Sequence, residues 1–221
     1  MGGGKFANGA ATAAFQYTLS TPLPPTNDAS QSPDVATRAK LAAGVYDEYF
    51  TGADGYQLFD RWDNPETGLQ AALFVKGDSY IVAYAGTSPS SWANWSANLT
   101  QALGLESSQY TLGIDIANRL QQQYGSNLSF TGHSLGGGIA AAAAAVTGLD
   151  AVVFNAAGVN SATVGRYGAT LSGAPVTHYY SALDVLQAIN AVTPVHVPGS
   201  SVSLGPAGLH GMSGVCRAVG C

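Results

Sequence analysis

The sequence predicts an α/β fold with a mostly parallel central sheet, an N-terminal hairpin and helices on both faces. From Ala71 onward, strand and helix patterns follow one another as strand, strand, helices, strand, helix, strand, strand. Such alternation is typical of parallel sheets built from strand–helix–strand units. The first two of these strands are separated only by Lys-Gly-Asp, a turn that favours an antiparallel hairpin. With 221 residues, the chain is expected to form one domain over 1–221.

Residues 1–32 are expected to form an extended leading segment, because LPPTNDASQSP is rich in proline and polar residues. Ser32, Pro33 and Asp34 then suit a helix start: a capping hydroxyl, a proline in the first turn and a negative charge at the positive end. The helix DVATRAKLAAGVYDEYF follows, with apolar residues at three- and four-residue spacing. TGADG and DNPETG are turn clusters.

The remaining elements alternate between apolar runs and helical periodicities. The expected strands are LQAALFV, SYIVAYAGT, NLSFTG, AVVFNAAG and VTHYYSA, and the expected helices are WANWSANLTQAL, SQYTLGIDIANRLQQQYG and GGGIAAAAAAVTG.

The charge pattern argues against a nucleic-acid partner. Only 10% of the residues are charged and the net charge is −5, with eight Lys and Arg scattered singly along the chain. Proteins that bind nucleic acids neutralise phosphates with clustered basic residues, and this sequence has no such cluster.

Low charge and many small residues are typical of exported proteins, so we expect the protein to be secreted. The first twenty residues contain no continuous apolar core of the kind found in signal peptides. Cys216 and Cys221 either form a small disulfide ring in an oxidising compartment or remain two thiols near a frayed end. Two such ligands are too few for a structural zinc site, so we expect no metal.

Gly-His-Ser-Leu-Gly at residues 132–136 is the main candidate for chemistry. A nucleophilic serine in such a motif sits on a sharp turn between a strand and a helix, and the flanking glycines avoid steric clashes. NLSFTG before Ser134 and GGGIAAAAAAV after it supply that context. The alternative is a structural glycine turn. We predict that Ser134 is the nucleophile.

Only two carboxylates follow Ser134 and could orient a base: Asp150 and Asp184. Sites of parallel sheets lie at the carboxyl ends of the strands. Asp150 precedes its strand, whereas Asp184 follows VTHYYSA, so we predict that Asp184 is the acid. Its alternative role is a helix cap before VLQAI.

Two histidines follow Asp184. His196 lies in TPVHVPG, which has the pattern of a strand, and His210 lies in the loop GPAGLHGMSG. Catalytic residues are concentrated on loops, and the order Ser, Asp, His is typical of this elbow. We therefore predict that His210 is the base. His133 adjoins the serine and is expected to point elsewhere, while His178 precedes the acid.

Two backbone donors are expected to form an oxyanion hole. One is the N–H of Leu135, directly after the nucleophile. The other is on the loop AYAGTSPSS, where Gly86 allows close approach of substrate and Thr87 can supply its amide and hydroxyl. An ordinary Gly-Thr turn is the alternative.

With these motifs assembled, the chain resembles the class 3 lipases of the α/β-hydrolase superfamily from about Leu69 to His210. In that family a strand ends in an oxyanion loop, followed by a tryptophan-containing helix and then by Gly-His-Ser-Leu-Gly. The resemblance implies a triad of Ser134, Asp184 and His210, with Thr87 in the oxyanion hole. Ala85 replaces the arginine of the family, and FNAAGVN differs from the fungal members, so the chain looks more like bacterial lipases and phospholipases.

The resemblance also implies a candidate lid at residues 88–103, where Trp92, Trp95 and Leu99 would share one helical face. The alternative is a fixed core helix. The function implied is hydrolysis of acyl esters of lipids or phospholipids without a cofactor, with transient contact to a lipid surface. A short-chain esterase with an open site and an inactive lipid- or partner-binding protein of the same fold are the rivals.

Overall fold

The computed structural model describes residues 35–86 and 108–221. Within these ranges the chain forms one eight-stranded sheet and six α-helices. The helices are α1 Val35–Gly44, α2 Ser108–Tyr124, α3 Leu135–Thr147, α4 Ser161–Gly165, α5 Val185–Val192 and α6 Met212–Val219. The strands are β1 Gly52–Ala53, β2 Tyr56–Asn64, β3 Leu69–Lys76, β4 Ser79–Tyr84, β5 Leu128–His133, β6 Ala151–Phe154, β7 Val176–Tyr180 and β8 Ser200–Ser203.

The strands lie in the sheet in the same order as in the chain, from β1 to β8. The pairs from β1 to β4 are antiparallel, and those from β4 to β8 are parallel. Parallel strands need crossover connections, which are right-handed in nearly all proteins. Because each crossover advances in the same direction across the sheet, successive crossover helices are expected on the same face. This agrees with the packing of α2, α3 and α4 in one core cluster.

The two faces of the sheet bury different residues of the same strands. In β4, Tyr80, Val82 and Tyr84 face the cluster with α2 and α3, while Ile81 and Ala83 face the cluster with α1. This alternation follows from the two-residue period of a strand. Helix α6 packs beside α1 on the second face. The predicted α/β fold, with helices on both faces of a mostly parallel sheet, is confirmed.

Helix α3 packs closely against the sheet because its buried residues are mostly glycine and alanine. The nine residues from Gly136 to Ala144 are all buried. It ends at Thr147 and is followed by the C-cap Gly148, whose positive φ of 72° suits the left-handed conformation of that position. The close packing of this helix fixes the position of its first turn, which adjoins Ser134.

Three local differences from the sequence predictions have physical causes. The first helix ends at Gly44, because the backbone turns there: the N–H of Asp47 donates to the carbonyl of Gly44, and the ring of Phe50 comes to lie where a Cβ at Gly44 would be. Strand β2 was not predicted: its register shifts between Leu58 and Asp60, which breaks the alternation of polar and apolar residues. Strand β8 was also missed, because all four of its residues are exposed.

Near the end of the chain, Cys216 and Cys221 form a disulfide bond. The bond joins α6 to the residue that follows its C-cap, and Val215 of the same helix is buried against α1. Of the two alternatives left open by the sequence, the structure contains the disulfide ring.

Candidate active site

Ser134 lies between the end of β5 and the first residue of α3. Its backbone has φ 60° and ψ −129°, a combination that a residue with a side chain rarely adopts. Such strain costs about 1–3 kcal/mol and persists only where surrounding structure enforces it. The backbone N–H of Ser134 donates to Phe154 O at 3.1 Å, and its carbonyl accepts from the N–H groups of Gly138 and Ala157. The turn is therefore held from both neighbouring elements.

The two glycines of the motif are required by the close packing of this turn. A Cβ on Gly132 would lie 2.4 Å from the carbonyl oxygen of Gly136. A Cβ on Gly136 would lie 2.1 Å from the carbonyl oxygen of Tyr84 in the neighbouring strand. Both distances are far below van der Waals contact, so only glycine fits at either position.

His210 joins Ser134 to Asp184. Its Nε2 lies 2.9 Å from Ser134 Oγ, and its Nδ1 lies 2.7 Å from Asp184 Oδ2. The carboxylate only accepts hydrogen bonds, so Nδ1 carries the proton and Nε2 accepts from the serine hydroxyl. The three side chains predicted from the sequence as a triad are thus brought into one hydrogen-bonded row.

Asp184 also caps α5, which is the alternative role that the sequence left open for this residue. Its Oδ1 accepts the backbone N–H of Leu186 at 2.6 Å, while Oδ2 faces His210. The residue is only 3% exposed. One carboxylate oxygen therefore fixes the side chain to the helix start and the other is left for the imidazole.

The remaining histidines and the rival carboxylate lie in other surroundings. His178 is buried in β7, where its Nε2 accepts the backbone N–H of Ala156 at 3.1 Å; burial lowers its pKa to about 4. His196 forms an isolated bridge with Val159 instead of the predicted strand. Asp150 pairs with Arg38 at 2.6 Å at the opposite edge of the sheet from Ser134.

Leu135 is the first residue of α3, and the N–H groups of a first helical turn have no partner within their helix. Its amide therefore belongs to the group of donors that a helix start offers to a negative charge. The other residues expected here, namely Thr87 in the oxyanion hole and Trp92, Trp95 and Leu99 in the candidate lid, lie outside the described residues.

Two segments that carry the acid and the base are joined to each other. The hydroxyl of Ser181 donates to the carbonyl of Gly208, and Asp184 contacts His210. Between these two links, Leu183 is 55% exposed and Leu209 is 75% exposed. Asp184, which contacts the base, is buried, while the leucines beside the acid and the base are exposed to solvent.

Residues 35–86 and 108–221 contain no cluster of three or more His, Cys, Asp or Glu side chains placed to hold a metal ion. In the same part of the chain, no helix is both long and apolar enough to cross a lipid bilayer.

His133 and Tyr46 belong to the surroundings of the site, although no sequence pattern assigns them a role there. His133 was expected only to point away from the nucleophile, yet its Nε2 lies 2.7 Å from the backbone oxygen of His210. Tyr46 follows α1 and contacts both His133 and Gly86. No motif signals a tyrosine 87 residues before its histidine partner, so only the fold reveals this contact.

Comparison with known proteins places this chain in a family. Residues 37–217 match the phospholipase-like family described as the Tle-like phospholipase domain. An extracellular phospholipase A1 of Serratia liquefaciens is 38% identical over 151 residues, which are 63% of this chain and 46% of that protein. The chain thus spans about half the length of this curated relative.

Two fungal lipase structures have a similar fold. The lipase–propeptide complex of Rhizomucor miehei has a TM-score of 0.56 at 15% identity, covering 87% of this chain and 79% of that one. A triacylglycerol lipase of Penicillium expansum has a TM-score of 0.51 at 16% identity, covering 77% of each chain. These similarities confirm the α/β-hydrolase type of fold expected from the sequence. Since the family match extends over most of its length, the chain belongs to the Tle-like phospholipase domain family.

Proposed function

We propose that the protein is a serine hydrolase that cleaves carboxylic esters of lipids, with phospholipids as its substrate class. The observation that carries the proposal is the row of hydrogen bonds from Ser134 through His210 to Asp184. A serine hydroxyl becomes nucleophilic when a base accepts its proton and a carboxylate orients that base. The strained backbone of Ser134 supports the same role, because strain of this kind is concentrated at functional sites.

In the first half of the reaction, Ser134 Oγ attacks the carbonyl carbon of the ester and its proton passes to His210 Nε2. Asp184 stabilises the resulting imidazolium and keeps its Nδ1–H in place. The tetrahedral intermediate then collapses. The bond to the alcohol oxygen breaks, the proton on Nε2 passes to that oxygen, and an acyl-enzyme remains on Ser134.

In the second half, water attacks the acyl carbonyl and gives a proton to His210 Nε2. Collapse of the second tetrahedral intermediate breaks the bond to Ser134 Oγ, which takes the proton back, and the carboxylic acid leaves. We propose that the amides of Leu135 and Thr87 stabilise the negative oxygen in both steps. No cofactor enters this reaction.

Three observations support a lipid substrate. The family of the chain is phospholipase-like, and the Serratia relative is a phospholipase A1. Leu183 and Leu209 are exposed beside the acid and the base, where apolar side chains can contact aggregated lipid. The sequence contains no Asp or Glu after Asp184, so no acidic side chain in this part of the chain opposes a phosphate-bearing surface. We keep residues 88–103, with Trp92, Trp95 and Leu99, as the candidate lid.

We also propose that the protein acts outside the cytoplasm. Disulfides persist in oxidising compartments, and Cys216 is bonded to Cys221. The Serratia relative is extracellular.

The test is hydrolysis of nitrophenyl esters with acyl chains of about two to sixteen carbons and of a phospholipid, by wild type and Ser134→Ala. We expect the variant to lose nearly all activity. Ser129→Ala is the matched control, because Ser129 is a buried serine at the other end of β5. Its activity should remain that of the wild type.

Each alternative gives a different result. Hydrolysis restricted to short chains, with no rise above the aggregation point of the substrate, would indicate a small esterase with an open site. Absence of both hydrolysis and fluorophosphonate labelling of Ser134 in the wild type would indicate a binding protein and would overturn the proposal.

A further inference from the structure

Around the row of Ser134, His210 and Asp184 lies a second set of hydrogen bonds that the reaction steps do not use. His133 is 7% exposed, and both of its ring nitrogens have partners. Nε2 lies 2.7 Å from the carbonyl oxygen of His210, and Nδ1 lies 3.2 Å from the hydroxyl of Tyr46. Because its ring contacts the backbone of the base, His133 is tied to the site without touching the reacting atoms.

The directions of these hydrogen bonds follow from the chemistry of the partners. Burial, together with the nearby His210, lowers the pKa of His133 to about 3, so the ring is neutral and carries one proton. The carbonyl of His210 can only accept, so that proton is on Nε2. Nδ1 then accepts, and Tyr46 is its donor.

Tyr46 continues the row to the loop after β4. Its hydroxyl oxygen accepts the backbone N–H of Gly86 at 2.8 Å. Burial raises the pKa of Tyr46 to about 12, so the hydroxyl keeps the proton that it donates to His133. Gly86 directly precedes Thr87, the residue that we propose as an oxyanion donor. The row thus begins beside the proposed oxyanion loop and ends at the backbone of the base.

We propose that Tyr46 and His133 are positioning residues, which hold Gly86 and the catalytic base in one arrangement around Ser134. The inference rests on the function proposed above. Gly86 N–H donates to Tyr46, Tyr46 donates to His133, and His133 donates to the carbonyl of His210, so all three bonds point in one direction. Bonds arranged head to tail in this way strengthen one another.

A second donor holds the same carbonyl. Asn155 Nδ2 lies 3.0 Å from the oxygen of His210, and Asn155 Oδ1 accepts the backbone N–H of Ser181 at 2.8 Å. Asn155 directly follows β6 and has a positive φ of 43°. From this position its side chain reaches the backbone of both His210 and Ser181. Two side chains therefore fix the backbone oxygen of His210, which explains how a base on a loop is kept in a fixed place.

The first experiment compares Tyr46→Phe with Tyr56→Phe. Tyr56 is the matched control: its ring is buried and its hydroxyl bonds a side chain, Ser79 Oγ at 2.7 Å, at the opposite end of β4 from the site. Each variant loses one hydroxyl; Tyr46→Phe loses the two hydrogen bonds that this hydroxyl makes to Gly86 and His133, and Tyr56→Phe loses the one to Ser79. We expect Tyr46→Phe to lower kcat roughly tenfold with little change in KM, because both hydrogen bonds of this hydroxyl in the row are lost. Tyr56→Phe should keep the kcat of the wild type at a similar loss of melting temperature.

The second experiment tests whether the two residues act as one row. His133→Gln keeps a donor toward the carbonyl of His210 and removes the ring acceptor of Tyr46, whereas His133→Ala removes both. We expect kcat to fall more in His133→Ala than in His133→Gln. Adding Tyr46→Phe to His133→Ala should cause little further loss, because residues in one network are not additive.

The results separate this inference from the proposed function. If wild type hydrolyses esters and Ser134 is labelled, yet Tyr46→Phe has the kcat of wild type, the positioning role is wrong and the hydrolase remains. If the fold-losses of kcat in Tyr46→Phe and His133→Ala multiply in the double variant, the two residues act independently and the proposal is also wrong. If wild type is inactive and unlabelled, it is the hydrolase function that fails.

Discussion

The carboxylate of Asp184 lies between His210 and a helix start: one oxygen is 2.7 Å from Nδ1 of His210, and the other accepts the backbone N–H of Leu186. A single buried side chain therefore orients the base and caps α5. Its contribution to catalysis and its contribution to stability can be separated, because asparagine caps a helix nearly as well as aspartate but carries no charge.

Asp184→Asn is expected to lower kcat by about four orders of magnitude, because the amide neither stabilises the imidazolium nor enforces the required tautomer. The free energy of unfolding should change by less than about 1 kcal/mol, since the cap acceptor remains. Kinetics on a soluble ester and urea unfolding measure the two quantities. In Asp150→Asn, which breaks the pair with Arg38 at the far edge of the sheet, stability should fall and kcat should not. Equal kcat in the two variants would refute the role of Asp184.

Leu183→Asn and Leu209→Asn should separate lipid contact from chemistry. Each removes an exposed apolar side chain beside the acid or the base. We expect hydrolysis of phospholipid vesicles to fall roughly tenfold for each, because the lost apolar burial at the lipid surface weakens binding. Hydrolysis of a soluble short-chain ester should stay unchanged. Val202→Asn, at an exposed valine of β8, is the control. Loss on both kinds of substrate would show that the leucines serve the site itself.

Stability should fall as the pH drops below neutrality. His133 and His178 are buried, and burial lowers their pKa values to about 3 and about 4. In the unfolded chain both protonate near pH 6.5, so below that pH the unfolded state binds more protons than the folded state. The free energy of unfolding should therefore decrease by about 1.4 kcal/mol per pH unit for each histidine, down to the pKa in the folded protein.

Urea unfolding at several pH values between 7 and 4 measures this slope. His178→Gln keeps an acceptor for the N–H of Ala156 and removes one titrating group. The slope between pH 6 and 5 should therefore fall by about 1.4 kcal/mol per pH unit, the contribution of one histidine. A His178→Gln slope equal to that of the wild type would contradict the expected linkage.

Gly136→Ala should disturb both the fold and the site. The added Cβ would lie 2.1 Å from the carbonyl oxygen of Tyr84, so α3 must move away from β4 at the position of Leu135. Overpacking of this kind costs typically 1–3 kcal/mol, and displacement of a proposed oxyanion donor should lower kcat as well. Gly165→Ala is the control, because nothing lies within 4 Å of a Cβ there. A Gly136→Ala protein with the stability and kcat of the wild type would contradict the packing seen at this turn.

The positions of Ser134, Asp184 and His210 were predictable because few alternatives existed. Only two carboxylates follow the serine, and the rule that sites lie at the carboxyl ends of strands favours Asp184. The contacts of His133 and Tyr46 were not predictable. They depend on where α1 packs against the sheet, and no local pattern encodes that distance.

The buried strands of the sheet were predicted better than the exposed and half-buried ones. Strands β5 and β6 are buried along their whole length, as parallel strands are on both faces, and β6 is a continuous apolar run. By contrast, β2 is mostly half-buried and contains a register shift, and the residues of β8 are exposed. Both strands are held in the sheet by hydrogen bonds to a neighbouring strand, and burial of their own side chains contributes little.

The strict order of the strands has a consequence for synthesis on the ribosome. The strands emerge from the ribosome in the same order in which they pair in the sheet. Ser134 emerges long before His210, which is 76 residues further on. At a rate of about 5–20 residues per second, several seconds of translation separate the nucleophile from its base. During that interval the nascent chain can complete its elbow but has no means of activating the serine. The hydrolytic activity that we propose would therefore arise in one step, after β8 has emerged.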